Sequence, residues 1–171
     1  MRIHIIGGPG SGKSYMGRRL SELCGIQYHE LDSIVWDNRP DQYGVKASIE
    51  SRDANLKRIL NDDSWIVEGT YYKWLHESFA LADKIFVLRP NVFLRHWRIT
   101  KRFVKRKLGI EKSAYRETWN AYIKMLKWNH QFDSNNLAGA LKMLEEFNGK
   151  VVVCRDSTEV LEHIFIDLHR V

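Results

Sequence analysis

A single α/β domain, with a mostly parallel five-stranded sheet and helices on both faces, is the fold the sequence predicts. Short apolar runs alternate with helical patterns along the whole chain, and each alternation reads as a strand followed by its crossover helix. A glycine-rich turn joins the first run to the first helix. The 171 residues suffice for one core burying about 70 per cent of the extended surface, and not for two cores around this turn.

The first strand is Arg2 to Ile6, and the helix that begins near Lys13 sets Met16, Leu20 and Leu23 on one face until Gly25 stops it. Ile26 to Glu30 is the second strand. Past the turn-rich stretch from Asp37 to Gly44, Ile49, Leu56, Ile59 and Leu60 share a helical face, and Asn61-Asp62-Asp63-Ser64 ends that helix. Trp65-Ile66-Val67 opens the third strand. A short helix from about Lys73 to Ala82 leads to Lys84 to Leu88, a continuous apolar run suited to a strand buried on both faces. Two long helical stretches follow, about Asn91 to Leu108 and about Ala114 to Phe147. In the second, Tyr115, Trp119, Tyr122, Met125, Trp128 and Phe132 recur at core spacing, a better reading than base stacking for Trp119 or Trp128. Lys150 to Cys154 is the fifth strand, and Asp156 with Glu159 three residues on caps a last helix.

Residues 7 to 14 read Gly7-Gly8-Pro9-Gly10-Ser11-Gly12-Lys13-Ser14, an unbroken G-x-x-x-x-G-K-[ST] between a strand and a helix. This is the Walker A phosphate cradle in its proper context. Gly7, Gly10 and Gly12 tolerate positive φ, so the backbone of Gly8 to Lys13 can turn its amides toward a β phosphate while the helix dipole adds positive potential. Lys13 reaches the β and γ phosphates, and the Ser14 hydroxyl ligates Mg2+. ATP and Mg2+ are therefore the expected cofactors.

Ligands of such sheets sit at the C-terminal strand ends, which carry His29-Glu30-Leu31-Asp32, Glu68-Gly69-Thr70-Tyr71-Tyr72 and Arg89-Pro90. Glu68, read as the acid beside the cradle, would hold a Mg2+ water or substrate, and Asp32 would orient or deprotonate an acceptor hydroxyl. Trp36, Arg39, Tyr71, Tyr72, Lys73 and His76 follow these ends and could line an acceptor pocket. On the long helix after Pro90, Arg95, Arg98, Arg102 and Arg106 project from one face, with Phe93, Trp97, Val104 and Leu108 opposite. No acid relieves that stripe, and Lys101, Lys105 and Lys107 add to it, so an anionic ligand is its expected purpose.

A net charge of +6 suits a phosphate-handling enzyme and a nucleic-acid binder alike. Cys24 and Cys154 lack metal-ligand spacing and read as reduced thiols, and the first apolar run breaks after four residues, so a soluble cytoplasmic protein is expected. GTPase switches are disfavoured by the lack of an Asn-Lys-x-Asp sequence, and no ABC-type signature occurs.

The pattern resembles the small P-loop kinases of the adenylate kinase and shikimate kinase type, and more closely the DNA topology modulation protein-like family. The resemblance rests on the Walker A loop, Leu31-Asp32 followed by Trp36, Trp65-Ile66-Val67-Glu68-Gly69-Thr70-Tyr71 and the arginine helix, through about residue 130. It implies the P-loop NTPase fold in three layers, with sheet order 2-3-1-4-5 and a helical lid over about residues 102–116. Glu68-Gly69 would match the family's Asp-Gly, with Glu in place of Asp, and Arg98 and Arg102 the adenine-stacking and phosphate-binding arginines.

The function these readings imply is an ATP- and Mg2+-dependent kinase acting on a nucleoside, a nucleotide or a hydroxylated metabolite. Lys13, Asp32, Arg102 and Arg106 would be catalytic; Gly8, Gly10, Ser11, Gly12, Lys13, Ser14 and Arg98 would bind nucleotide. Asp32, Trp36, Glu68 and Tyr71 would bind the acceptor, with Ser14 and Glu68 at the metal. Replacing Lys13 by Ala should abolish turnover with little unfolding. The alternative is a nucleotide-binding regulator or DNA-associated protein with weak or no ATPase activity. The expected partner is a small phosphoryl acceptor, ahead of nucleic acid and without a membrane, for a monomer or weak homodimer.

Overall fold

A computed structural model describes residues 1–36, 45–111 and 118–168. The element order is β1 (Arg2–Gly7), α1 (Lys13–Cys24), β2 (Tyr28–Glu30), α2 (Asp32–Val35), α3 (Ile49–Leu60), β3 (Trp65–Gly69), α4 (His76–Leu81), β4 (Lys84–Leu88) and α5 (Val92–Lys107). After residue 118 come α6 (Trp119–Gln131), a π turn (Asp133–Leu137), α7 (Ala138–Leu144), a 3-10 segment (Glu145–Lys150), β5 (Val151–Cys154) and α8 (Ser157–Leu168).

The five strands pair in the order β2-β3-β1-β4-β5, and every pairing is parallel. The sheet order is therefore 2-3-1-4-5, as expected. β1 lies between β3 and β4, with Ile6 level with Gly69 and Val87, so the ends of all three converge where the loop leaves β1. Successive side chains point to opposite faces, and both faces are covered. Ile3, Ile5, Ile66 and Phe86 pack with Met16 and Leu20 of α1 and Val160 and Ile164 of α8. On the other face Ile6, Val67 and Val87 pack with α3, α4 and the segment from Phe132 to Leu144.

Several expected boundaries and faces differ. Gly7 completes β1 and has no positive φ; a Cβ there would lie 2.9 Å from the carbonyl oxygen of Leu88, so the glycine serves close approach instead. β2 starts at Tyr28 rather than Ile26, α4 at His76 rather than Lys73, and Leu23 and Ile49 are exposed at the ends of their helices. The stretch expected to run to Phe147 as one helix is broken. Leu137 donates to the carbonyl of Phe132 at 2.8 Å, a π bond that inserts a residue and re-aims the chain beyond it. Trp119 and Trp128 are exposed rather than core, whereas Asn129 and Phe132 are buried. Residues 37–44, with Arg39, and 112–117, with Tyr115 and the last third of the expected lid, lie outside the described residues.

The cap of α8 forms with one change of partner. Asp156 Oδ1 accepts from Thr158 N at 2.7 Å and Glu159 N at 3.2 Å, while Glu159 reaches back to Arg155 N at 2.7 Å. The amides also hold the Asp156 carboxyl below its ordinary range. Cys24 and Cys154 are both free thiols, and burial pushes Cys154 up to about 12. Among the described residues no helix is long and apolar enough to cross a membrane.

Candidate active site

The turn from Gly8 to Gly12 folds over the end of β1. The Ser11 amide donates to the Gly8 carbonyl at 3.1 Å, and Gly10 and Gly12 take φ of 71° and 97°, where a side chain would be strained. Gly12 is the N-cap of α1 and supplies no side chain to it, so the first amides of that helix remain available to an anion at its positive end. Arg98 Nη1 donates to the carbonyls of Gly10 and Ser11, each at 3.2 Å. In a trans peptide the N–H lies opposite the C=O, so this grip directs the Gly12 amide away from Arg98.

Lys13 and Ser14 converge on Glu68 at the end of β3. Ser14 Oγ donates to Glu68 Oε1 at 2.7 Å, and Lys13 Nζ lies 3.7 Å from Oε2, an oxygen buried without a hydrogen-bond partner among the described residues. Glu68 is only 4% exposed. A carboxylate so buried must be compensated, and the cation and the hydroxyl of the loop supply that compensation.

Glu68, read as the acid at the end of the third strand, is joined at the cradle by a neighbour from β2. Tyr28 OH lies 3.0 Å from Glu68 Oε1 and 2.9 Å from Glu30 Oε1, and Glu30 in turn meets Arg18 Nη2 at 2.6 Å. Burial first, then the two carboxylates, raise the Tyr28 phenol far above its ordinary range, so it remains a donor. The sequence carried a faint signal: Tyr28 and Glu30 alternate along β2 and so share a face. Nothing in it gave the distance to a residue on another strand.

Asp32 opens α2, beside Leu31, whose amide donates to the Glu68 carbonyl at 2.9 Å. Tyr71 OH donates to Asp32 Oδ1 at 2.7 Å, which brings together two of the residues expected at the acceptor. Trp74 lies beside Tyr71 with ring centroids 5.8 Å apart, and the Arg52 guanidinium stacks 4.2 Å over the Trp74 ring. Arg52 and Trp74 were not singled out from the sequence. Trp36 meets Lys46, whose ammonium is 5.7 Å from its ring. Tyr72 packs against Gly139 and His76 pairs with Glu146, so both face the α7 side.

On α5 the arginines face inward as a set, but their surroundings differ from a uniform anion stripe. Arg95 is fully buried against Asp133, Arg98 grips the loop, and Arg106 Nε meets Glu111 Oε1 at 3.2 Å. The acids absent from the stripe come from other segments. Arg102 lies one turn beyond Arg98 on the same half-buried face. The opposite side is solvent-facing: Phe93 is 75% exposed and Trp97 63%.

A phosphate loop between β1 and α1 of a parallel 2-3-1-4-5 sheet defines the P-loop NTPase α/β fold. Solved structures share it. A gluconokinase from Sinorhizobium meliloti 1021 superposes with a TM-score of 0.54 at 19% identity, over 99% of this chain and 91% of its own. A shikimate kinase from Acinetobacter baumannii in complex with shikimate gives 0.61 at 16% identity, over 97% and 93%. A deoxyadenosine kinase from M. mycoides with bound dATP gives 0.54 at 16% identity, over 99% and 100%. At these identities the likeness is one of fold. No protein-family model and no curated protein matches the chain.

Proposed function

We propose that this chain is an ATP- and Mg2+-dependent phosphotransferase that moves the γ-phosphoryl group to a small acceptor, such as a nucleoside, a nucleotide or a hydroxylated metabolite. The convergence of Lys13 and Ser14 on buried Glu68, at the mouth of the glycine loop, carries the reading. Structural neighbours named for kinases of small molecules support it. The finer kinship, with DNA topology modulation protein-like chains, rests on Leu31-Asp32, Trp36 and the run from Trp65 to Tyr71.

The donor atoms fit a magnesium ion. Ser14 Oγ and the Glu68 carboxylate are hard oxygen ligands, and the orphaned Oε2 of Glu68 is the buried polar atom such an ion would satisfy. When bound, Mg2+ would neutralise charge on the β and γ phosphate oxygens. Lys13 would then leave Glu68 for the phosphates, while the amides from Gly8 to Lys13 hold the β phosphate. Arg98, Arg102 and Arg106 would offset the charge spread over the transferring group. Asp32 would orient the acceptor hydroxyl and take its proton, with Tyr71 fixing the carboxylate, and Trp36 would flank the acceptor. The free thiols of Cys24 and Cys154 suit the reducing cytoplasm, where we place this activity.

The test is ATP consumption by the purified chain across a panel of nucleosides, nucleoside monophosphates and hydroxylated metabolites, with gluconate, shikimate and deoxyadenosine among them. One acceptor class should stimulate turnover, and Asp32→Asn should raise the KM for that acceptor while leaving the KM for ATP. A flat response across the panel would reject the kinase. A second reading, DNA association, is favoured by one observation: Lys101, Lys105 and Lys107 are exposed on α5 together with Phe93 and Trp97. Binding of that kind would fall steeply as salt rises.

A further inference from the structure

Arg95 is 0% exposed, unlike Arg98, Arg102 and Arg106 on the same helix. Its Nη1 forms an ion pair with Asp133 Oδ1 at 2.8 Å, without hydrogen-bond alignment, and none of Nε, Nη1 and Nη2 has a hydrogen-bond partner among the described residues. The guanidinium sits 5.9 Å from the centroid of the Phe132 ring. Asp133, the first residue of the π turn, also lies 3.6 Å from Arg89 Nε through its other oxygen.

This pair lies directly under the phosphate loop. A Cβ on Gly8 would stand 2.8 Å from Arg95 Nη1 and 2.9 Å from Phe132 Cδ1, and one on Gly10 would stand 2.7 Å from the Arg95 carbonyl oxygen. The loop therefore rests on Arg95 at two points, one on its guanidinium and one on its backbone. Stability is weak grounds for the choice of residues, because well-packed apolar side chains of similar volume often replace a buried ion pair at no cost or with a gain. The position is stronger grounds. A buried cation with unused donors touches the segment whose amides would meet the phosphates, and in so dry a layer its field is weakly screened.

We propose that Arg95 and Asp133 form a positioning pair for the phosphate loop: Asp133 holds the guanidinium against Gly8, and the guanidinium fixes the loop and raises its affinity for phosphate without touching the nucleotide. The π turn contributes by re-aiming the chain where Asp133 begins. The inference rests on the reading of this turn as a phosphate site.

The experiment titrates the full chain with magnesium tripolyphosphate and with magnesium ATP by calorimetry, beside thermal melting. In Arg95→Met/Asp133→Leu the melting temperature should match or exceed the parental value, while affinity for both ligands falls roughly tenfold. A purely structural pair would leave that affinity unchanged in the folded double variant, and this result overturns the proposal. Should the double variant not fold, Arg95→Lys, which keeps the charge and loses the planar fork, reads the same quantity. Weakening of threefold or more supports the pair; parental affinity overturns it. If the parental chain takes up neither ligand, the phosphate-site reading itself falls, which separates that failure from this one.

Discussion

Lys13→Ala tests both the chemistry and the electrostatics of the site. In the structure Lys13 Nζ is 3.7 Å from Glu68 Oε2, with the two side chains 14% and 5% exposed. At an effective dielectric constant of about 20 the direct attraction at that distance is roughly 4 kcal/mol, and removing one member of a buried pair commonly costs about 3 to 5 kcal/mol because the other charge is stranded. Ser14 still donates to Glu68, so the lower end, about 3 kcal/mol, is the expected loss. For a chain of this length that is a fall in Tm of roughly 6 to 12 °C. This departs from the sequence-based expectation that Lys13→Ala unfolds little, and the reason is the ion pair with Glu68. Lys13→Ala/Glu68→Ala strands no charge and should recover most of the lost stability, while both variants lose phosphoryl transfer. Urea denaturation gives the stabilities, and ATP turnover with the best acceptor gives the activities. Equal stability of the single and double variants would refute the electrostatic argument; parental turnover in Lys13→Ala would refute the chemical one.

Two further predictions concern His4 and Gly10. His4 is fully buried on β1, its Nδ1 2.8 Å from Ser78 Oγ, and burial lowers its pKa to about 3. The unfolded chain protonates near pH 6.5 and the native one does not, so this stability is present above that pH and is lost as pH falls toward 3. By about pH 4.5 the loss amounts to roughly 2 to 3 kcal/mol, and His4→Leu/Ser78→Ala, which removes both members, should show a correspondingly flatter stability profile in urea; identical profiles would sink the assignment. Gly10→Ala places a Cβ 2.7 Å from the Arg95 carbonyl oxygen at a φ of 71°, so it should cost about 1 to 3 kcal/mol and abolish calorimetric uptake of magnesium ATP; parental affinity would contradict the loop geometry.

How much was legible in the sequence depends on the range of the forces involved. β4 occupies the expected residues, Lys84–Leu88, because a strand covered on both faces must be apolar throughout and a helix would need more length. The phosphate loop and its helix start were legible because glycine conformations, a cap and a dipole are local. The second helical stretch was misread because aromatic spacing of three and four admits any helix, and the π turn that breaks this one depends on packing around Phe132. Tyr28 escaped notice, and Glu30, though read at the end of the second strand, was not linked to Glu68, for the complementary reason: the tie crosses from β2 to β3, and only register places these residues together.

The arginine helix shows why the shared face of a side-chain stripe is easier to read than its surroundings. Periodicity groups Arg95, Arg98, Arg102 and Arg106 correctly, yet an ordinary amphipathic helix would bury Phe93, Trp97, Val104 and Leu108 instead. Here Ile99 and Phe103 are the apolar residues of α5 that are buried, on the same side as Arg95. The arginine side wins the interior because it finds specific partners there: Asp133 for Arg95, and the carbonyls of Gly10 and Ser11 for Arg98. Each of these contacts compensates a desolvated guanidinium that could not otherwise be buried. The same contacts also shape the turn that would receive the phosphates, so the burial of α5 and the geometry of the loop have a single cause.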